Sequence, residues 1–471
     1  MRTAPHLLPP WQEARRLAIP ATFSLLLHAA YRVNDQYWVR ELGPDAQAAL
    51  GLTSFLHILN FGFATLLATG TLARMAHASG SGDREGVRRA WHASWAFGLP
   101  WFALIGAFGW LTTPLWVQAC GAQGEAARMA VQYLGVIYLV QPAIAMKPVV
   151  DAAYFGLGNT LIPMLLAALA VLLNFVTAPL LIYGFGNWEG MGIAGAAWST
   201  GFSRLVAVAL GMFLLARWFG LPLERRRADR AELRRMLAIG APLAASAIVY
   251  ALVFILLLKT SVQELGRDVQ AGLGVGFNGV EAMSYCALMG PAVAAASIVG
   301  RRLGAGDRAG ARAGMRACLW MSAGIAAVTT VVFWIAPGPL VGIFAREEGV
   351  RHEAAIYLRI VALSQVVTAV DAVLQQSMAG AGRTLQMSLI NLAGYMVRIP
   401  LAALLTAGLG WGAAGVWWAM NLSNYLKLGA MILLFRRLRL FAGFPTPGHQ
   451  AHGPQAHGPP PSRLVEPPSV H

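Results

Sequence analysis

Apolar residues in this chain fall into long runs separated by short polar or Gly/Pro-rich stretches. Crossing a hydrocarbon layer roughly 30 Å thick takes about 20 helical residues, and runs of that size recur along the chain. Lipid offers backbone groups no partner, so each run is predicted to satisfy itself as a helix. Twelve spans follow, at residues 17–39, 50–74, 90–115, 129–154, 161–184, 192–218, 236–262, 271–297, 315–337, 355–379, 387–408 and 413–436.

Sliding the chain against itself by about 223 residues uncovers a repeat. The stretch Leu42–Gly51 returns as Leu265–Gly274, Gly80–Arg84 as Gly304–Arg308, Gly156–Leu161 as Gly380–Leu385, and Gly192–Gly195 as Gly412–Gly415. Each half holds six spans, an even number, so both halves enter the membrane in the same orientation, related by a pseudo-two-fold along its normal. The predicted fold is all-α, two six-helix lobes at 17–218 and 236–436. They are flanked by a cytoplasmic N-terminus at 1–16, a basic hinge linker at 219–235 and a tail at 437–471. Parallel repeats of this kind are a secondary-transporter architecture, with the substrate path between the halves.

Charge sharpens the topology. The 471 residues are 57% apolar and 12% charged, with a net charge of +15 and a mean hydropathy of +0.56. In a soluble chain that charge would suggest nucleic acid; here its placement follows the membrane. With alternating sides, Arg15 and Arg16, Arg84, Arg88 and Arg89, the run from Arg225 to Arg235, the group from Arg301 to Arg316, and Arg436, Arg437 and Arg439 all share one face. The positive-inside rule makes that face cytoplasmic, with both termini on it. Nothing at Met1–Gln12 reads as a cleaved signal. Cys120, Cys286 and Cys318 are too scattered for a disulfide framework or a metal site and read as small core residues. The tail, rich in Pro, His and Gly, reads as solvated chain rather than a metal site built on His449, His452, His457 and His471.

An Asp near the end of the first span followed by Leu-Gly and Ala-Ala-Leu-Gly (Asp35, Leu42-Gly43, Ala48–Gly51), with Gly-Ser-Gly-Asp-Arg at 80–84 and Gly-Ala-Gly-Asp-Arg at 304–308, resembles the multidrug and toxic compound extrusion (MATE) antiporters over about residues 15–436. The resemblance implies two lobes forming a V, export of cationic or amphipathic compounds, and drive by protons or sodium. One branch of that family couples through an acid on the first helix, an Asn and an Asp on the fifth and a Thr on the sixth. Asp35, Asn174 and Thr200 match that pattern, and Ala178 stands where the fifth-helix acid belongs. The other branch uses a Glu on the seventh helix, where Tyr250 stands, and an Asp on the tenth, for which Asp371 is the candidate. Losing an acid lowers the charge available to dehydrate sodium and favours protons.

A buried Asp costs on the order of 2.5 to 3.5 kcal/mol at a helix centre, so Asp35 needs a reason to be there. A carboxyl withdrawn from water favours its neutral form, which fits uptake and release of a coupling proton; the structural alternative is a pair with Arg32 or hydrogen bonds to Asn34. Asp371 and Lys147 occupy equivalent positions of the repeat, which suggests a charge pair between the lobes or two groups in separate cavities. Lys259, Glu281, Asp151, Arg204 and Arg398 also fall within spans, some of them snorkelling. Tyr31, Tyr154, Tyr250, Phe254 and Tyr395 are candidate substrate-binding rings, against the commoner packing or interface-belt role; the prolines within spans, Pro142 among them, are candidate hinges. No nucleophile or metal constellation and no Walker loop appears, so neither an enzyme nor an ATP-driven pump is expected, and no cofactor. The expectation is a monomeric antiporter of the bacterial inner membrane, in contact with lipid and small-molecule substrate and not nucleic acid; the rival is a lipid-linked saccharide flippase.

Overall fold

The computed structural model describes residues 8–119, 123–224 and 229–437. Cys120, Arg225–Arg227, the histidines of the tail and the side chain of Arg32 lie outside the described residues, and with them the Asp35–Arg32 pairing.

The chain is almost wholly helical. Its long elements are α1 (Pro10–Val39), α2 (Pro44–Gly80), α3 (Arg84–Ala119), α4 (Gly124–Leu139 continued by Gln141–Gly156), α5 (Leu161–Tyr183) and α6 (Ile193–Phe219). The second half has α7 (Arg230–Val262), α8 (Arg267–Gly304), α9 (Arg308–Ile335), α10 (Glu348–Ala362 continued by Gln365–Gly380), α11 (Leu385–Gly408) and α12 (Gly412–Arg437). Among the described residues seven helices are long and apolar enough to cross a membrane alone, and each bent pair adds one; α1, α2 and α12, of similar length, complete twelve. Leu111, Trp320 and Ile335 are 69%, 74% and 76% exposed, which suits a surface bathed in lipid.

The sequence echoes turn out to be turns. Gly43 and Gly266 have φ of 98° and 108°, Gly82 and Gly306 70° and 77°, Gly158 and Gly382 75° and 72°, and Gly192 and Gly412 56° and 55°. At the first three pairs a positive-φ glycine sits in the short turn between consecutive helices, while Gly192 and Gly412 open the helices α6 and α12; in the Gly-x-Gly-Asp-Arg loops the Asp caps the following helix, Asp83 accepting from the Gly86 amide at 2.8 Å and Asp307 from Gly310 at 2.7 Å. α4 bends by 54°, at the candidate hinge Pro142, and α10 by 57°. Pro142 explains the first by removing an amide. The second, at Leu363–Ser364, has no proline, so the bend belongs to the repeated backbone rather than to that residue.

The lobes meet at the basic end. Ala14, Leu17 and Ala18 of α1 pack into the core of the second half, and Met236 of α7 into the core of the first. Gly80 and Gly304, repeat equivalents, face each other's helices: a Cβ on Gly80 would sit 1.8 Å from the Arg301 carbonyl oxygen, and one on Gly304 2.1 Å from that of His77. Three ion pairs, made by two acids, cross this seam. Glu13 of α1 accepts from Arg301 Nη2 at 2.5 Å and from Arg302 Nε and Nη2 at 2.9 and 2.6 Å. Glu232 of α7 takes Arg74 of α2 bidentately at 2.6 and 2.9 Å. Toward the opposite end, Gly124–Leu139 and the segments Leu258–Glu281 and Leu404–Gly408 make their principal contacts within their own lobes. The molecule is thus clamped at its basic end and held apart at the other.

Candidate functional site

On α1, Tyr31, Asn34, Asp35 and Trp38 share one face through i, i+3, i+4, i+7 spacing. That face turns toward Asn174 and Thr177 of α5 and Ser199, Thr200, Ser203 and Arg204 of α6. Asp35, 9% exposed, accepts from the Thr200 hydroxyl at 3.2 Å through Oδ2; Asn174 is a second polar neighbour and Arg204 a nearby positive charge. Asn34 donates to Asn174 Oδ1 at 2.6 Å and accepts from Trp38 Nε1 at 3.0 Å, while Asn174 donates to Ser199 Oγ at 3.1 Å. Tyr31 shares a 2.6 Å bond with Ser203 and lies under Arg204, whose Cζ is 4.5 Å from the ring centroid. So Asp35, Asn174 and Thr200, which the sequence groups only through a resemblance, are brought into one buried network. Ala178, at the position of the missing acid, is fully buried in apolar packing. Such a carboxyl, solvated by hydroxyl and amide groups rather than by water, has the surroundings to hold either a proton or a small cation.

Two expectations are corrected. Lys147 and Asp371 do not pair: Lys147 Nζ lies 2.6 Å from both oxygens of Asp151, because i, i+4 spacing on α4 puts the two charges side by side. Asp371, in the other lobe, is held by Lys427 Nζ at 2.8 Å and Gln375 Nε2 at 2.6 Å. Equivalence in the repeat puts the two residues in the same place of different lobes, not in contact. Tyr154 is no cavity ring either: fully buried, it donates to the Gly211 carbonyl at 2.6 Å and packs on Phe219.

Tyr31, 3% exposed, is likewise closed into the Asp35 network, and the other candidate rings, Tyr250, Phe254 and Tyr395, gather in the second lobe. Tyr395 meets Tyr250 at 5.1 Å, Tyr250 stacks on Phe254 at 6.2 Å, and Phe254 on Phe277 at 5.0 Å. Arg398 Cζ is 5.8 Å from the Tyr395 centroid and Lys427 Nζ 5.5 Å from it. Glu281, at the end of a π-helical stretch of α8 (Gly274–Glu281), accepts from Tyr357 and from Gln365. Lys259 is exposed near the spread end of α7. Sequence reasoning passes over Lys427, Glu13 and Arg74; a lysine midway along the last span is a readable signal in its own right.

Comparison with known proteins now decides the family. One family model, MatE, matches twice, over residues 20–180 and 242–404, once in each half. The chain belongs to the MATE family. Among its relatives, a probable multidrug resistance protein NorM of Thermotoga maritima is 24% identical over 428 residues, covering 90% of this chain and 91% of that one. A FAD transporter of Shewanella oneidensis is 21% identical, covering 90% and 93%. The fold agrees as well: a crystal structure of MATE in complex with MaL6 superposes with a TM-score of 0.85 at 22% identity, over 92% of this chain and 97% of that one. The chain is therefore a MATE transporter with twelve helices in two lobes, and not an enzyme.

Proposed function

We propose that this MATE protein is a secondary active antiporter of the bacterial inner membrane that exports small organic compounds by alternating access, coupled to protons more readily than to sodium. The observation that carries the reading is the Asp35 network: a carboxylate buried within the first lobe among α1, α5 and α6 and hydrogen-bonded by Thr200. With the basic end cytoplasmic, the clamped seam closes the cell interior and the cleft faces outward. Relatives carry the names probable multidrug resistance protein and FAD transporter, which supports organic molecules as the class of cargo. An intramembrane acid marks an ion path, and a missing partner acid at Ala178 leaves less charge to strip water from sodium.

The test is dye movement in inverted membrane vesicles under proton and sodium gradients imposed separately, using ethidium and fluorescein, with wild type and Asp35→Asn. A proton gradient is expected to drive accumulation in wild type and fail in Asp35→Asn, while equilibrium dye binding to the purified variant persists. Equal transport by the variant overturns the coupling role. Movement of a lipid-linked saccharide in place of either dye overturns export of small molecules in favour of a flippase.

A further inference from the structure

The polar centre of each lobe occupies the same place in the repeat with its charge reversed. Asp35 and Asn174 of the first lobe correspond to Leu258 and Arg398 of the second. Where the first lobe has an acid and an amide, the equivalent positions of the second carry a leucine and a guanidinium.

Arg398 is 4% exposed and keeps its proton under all ordinary conditions. It donates from Nε to Ser423 Oγ at 3.0 Å and from Nη2 to Asn424 Oδ1 at 3.1 Å, both neutral acceptors. Among the described residues no carboxylate forms an ion pair with it. Asp371 is taken by Lys427, and Glu281, whose charge acts on Arg398 through space, receives Tyr357 and Gln365 instead. A buried cation without a contacting counterion is costly and calls for a function. The rings of Tyr395 and Tyr250 flank it, and Phe254 and Phe277 extend the stack toward the spread end. Tyr285, beside the same rings, is 48% exposed, which leaves this wall reachable.

We propose that this wall binds planar aromatic anions, the ring lying against the Tyr395–Tyr250–Phe254 stack and a carboxylate or phosphate oxygen docking on Arg398. Guanidinium geometry suits a two-oxygen acid, and a planar ring gains from offset stacking. The inference rests on the export reading of the cleft and narrows its cargo, replacing the cationic half of the expectation drawn from resemblance.

Two xanthene dyes separate charge from shape: fluorescein is an anion and rhodamine 123 a cation on one ring system. Binding to purified protein by fluorescence anisotropy, and proton-driven uptake into inverted vesicles, are measured for wild type, Arg398→Gln and Arg398→Lys. Wild type is expected to favour fluorescein. Arg398→Gln should weaken fluorescein binding about 10- to 100-fold, the range of a lost charge-assisted hydrogen bond, and tighten rhodamine 123. Arg398→Lys, which keeps the charge and loses the fork, should retain part of the preference and shows that loss in the Gln variant is not misfolding. Preference for rhodamine 123, or fluorescein binding unchanged in Arg398→Gln, overturns the anion site. Uptake of rhodamine 123 alone does so while leaving export intact. Uptake of neither dye sinks the export reading, and anisotropy still decides whether Arg398 binds the anion.

Discussion

Replacing Glu13 by Gln should open the basic end. The Glu13 carboxylate receives three N–H groups from Arg301 and Arg302, and the side chains of Glu13, Arg302 and Arg301 are 5%, 6% and 14% exposed. Breaking a buried pair by removing one partner costs about 3 to 5 kcal/mol; here Arg301 and Arg302 lose their shared counterion, Arg302 keeping Asp307 at 2.7 Å, which points to the lower end of that range. If the lobes part at this end, the same groups become hydrated, so nearly all of that cost falls on the clamped state alone. Taking the lower figure, about 3 kcal/mol, the clamped-to-open ratio falls roughly 100-fold. At the second latch Arg74 is 31% exposed against 5% for Glu232, and solvent screening reduces the effect of Glu232→Gln to roughly 1 kcal/mol or less. Spin labels at Ser81 and Ala309, exposed sites on opposite sides of the seam, in a background with Cys120, Cys286 and Cys318 replaced, report the distance by pulsed electron resonance. Glu13→Gln should add a long-distance population, Glu232→Gln a smaller one, and the double variant the largest. Identical distance distributions in wild type and the double variant would refute the latch argument.

Two further outcomes follow from packing and pairing. Gly80→Val puts branched carbon where the Arg301 carbonyl already stands, 1.8 Å from the position of a Cβ, so the same spin-label pair should lengthen without any change in charge; an unaltered distance would mean that the seam yields elsewhere. Lys427→Met leaves Asp371 buried without its ammonium, a loss of about 3 kcal/mol or more, and should lower the melting temperature of the purified protein, with Lys427→Met/Asp371→Asn recovering part of it; a single variant as stable as wild type would show that Gln375 alone satisfies the acid.

What the sequence made legible was whatever the membrane or the backbone enforces locally. Span positions follow from run length, and the four echoes follow from turns that need glycine at positive φ, so both could be read without knowing a single contact. Pairings between distant helices could not. Lys147 looked like a partner for Asp371 because the repeat aligned them, yet alignment in a repeat places residues in different lobes, and the decisive spacing was the i, i+4 step to Asp151. The latch acids carried a signal that went unused: Glu13-Ala14-Arg15-Arg16 returns as Glu232-Leu233-Arg234-Arg235. Asp35, Asn174 and Thr200 were grouped through resemblance to a family, since no local pattern brings residues from α1, α5 and α6 together. The bend in α10 had no sequence mark, because Val366 stands where α4 has Pro142.

The two halves share the residues of their seam and differ in the charged residues inside each lobe. A rocking pair of lobes needs two matching seams, and the shared features are those of the seams: Gly80 and Gly304 in mutual close approach, Glu13 and Glu232 reaching across to the partner lobe, Asp83 and Asp307 capping the helices that follow. Inside the lobes the same backbone positions carry Lys147 and Asp371, Asp151 and Gln375, Asn174 and Arg398. Swapping a buried charge at fixed geometry alters which ligand is held while leaving the hinge untouched. Under the proposed function, the first-lobe acid and the second-lobe cation act on a common equilibrium, because each ligand needs only to favour one end of the same clamp over the other.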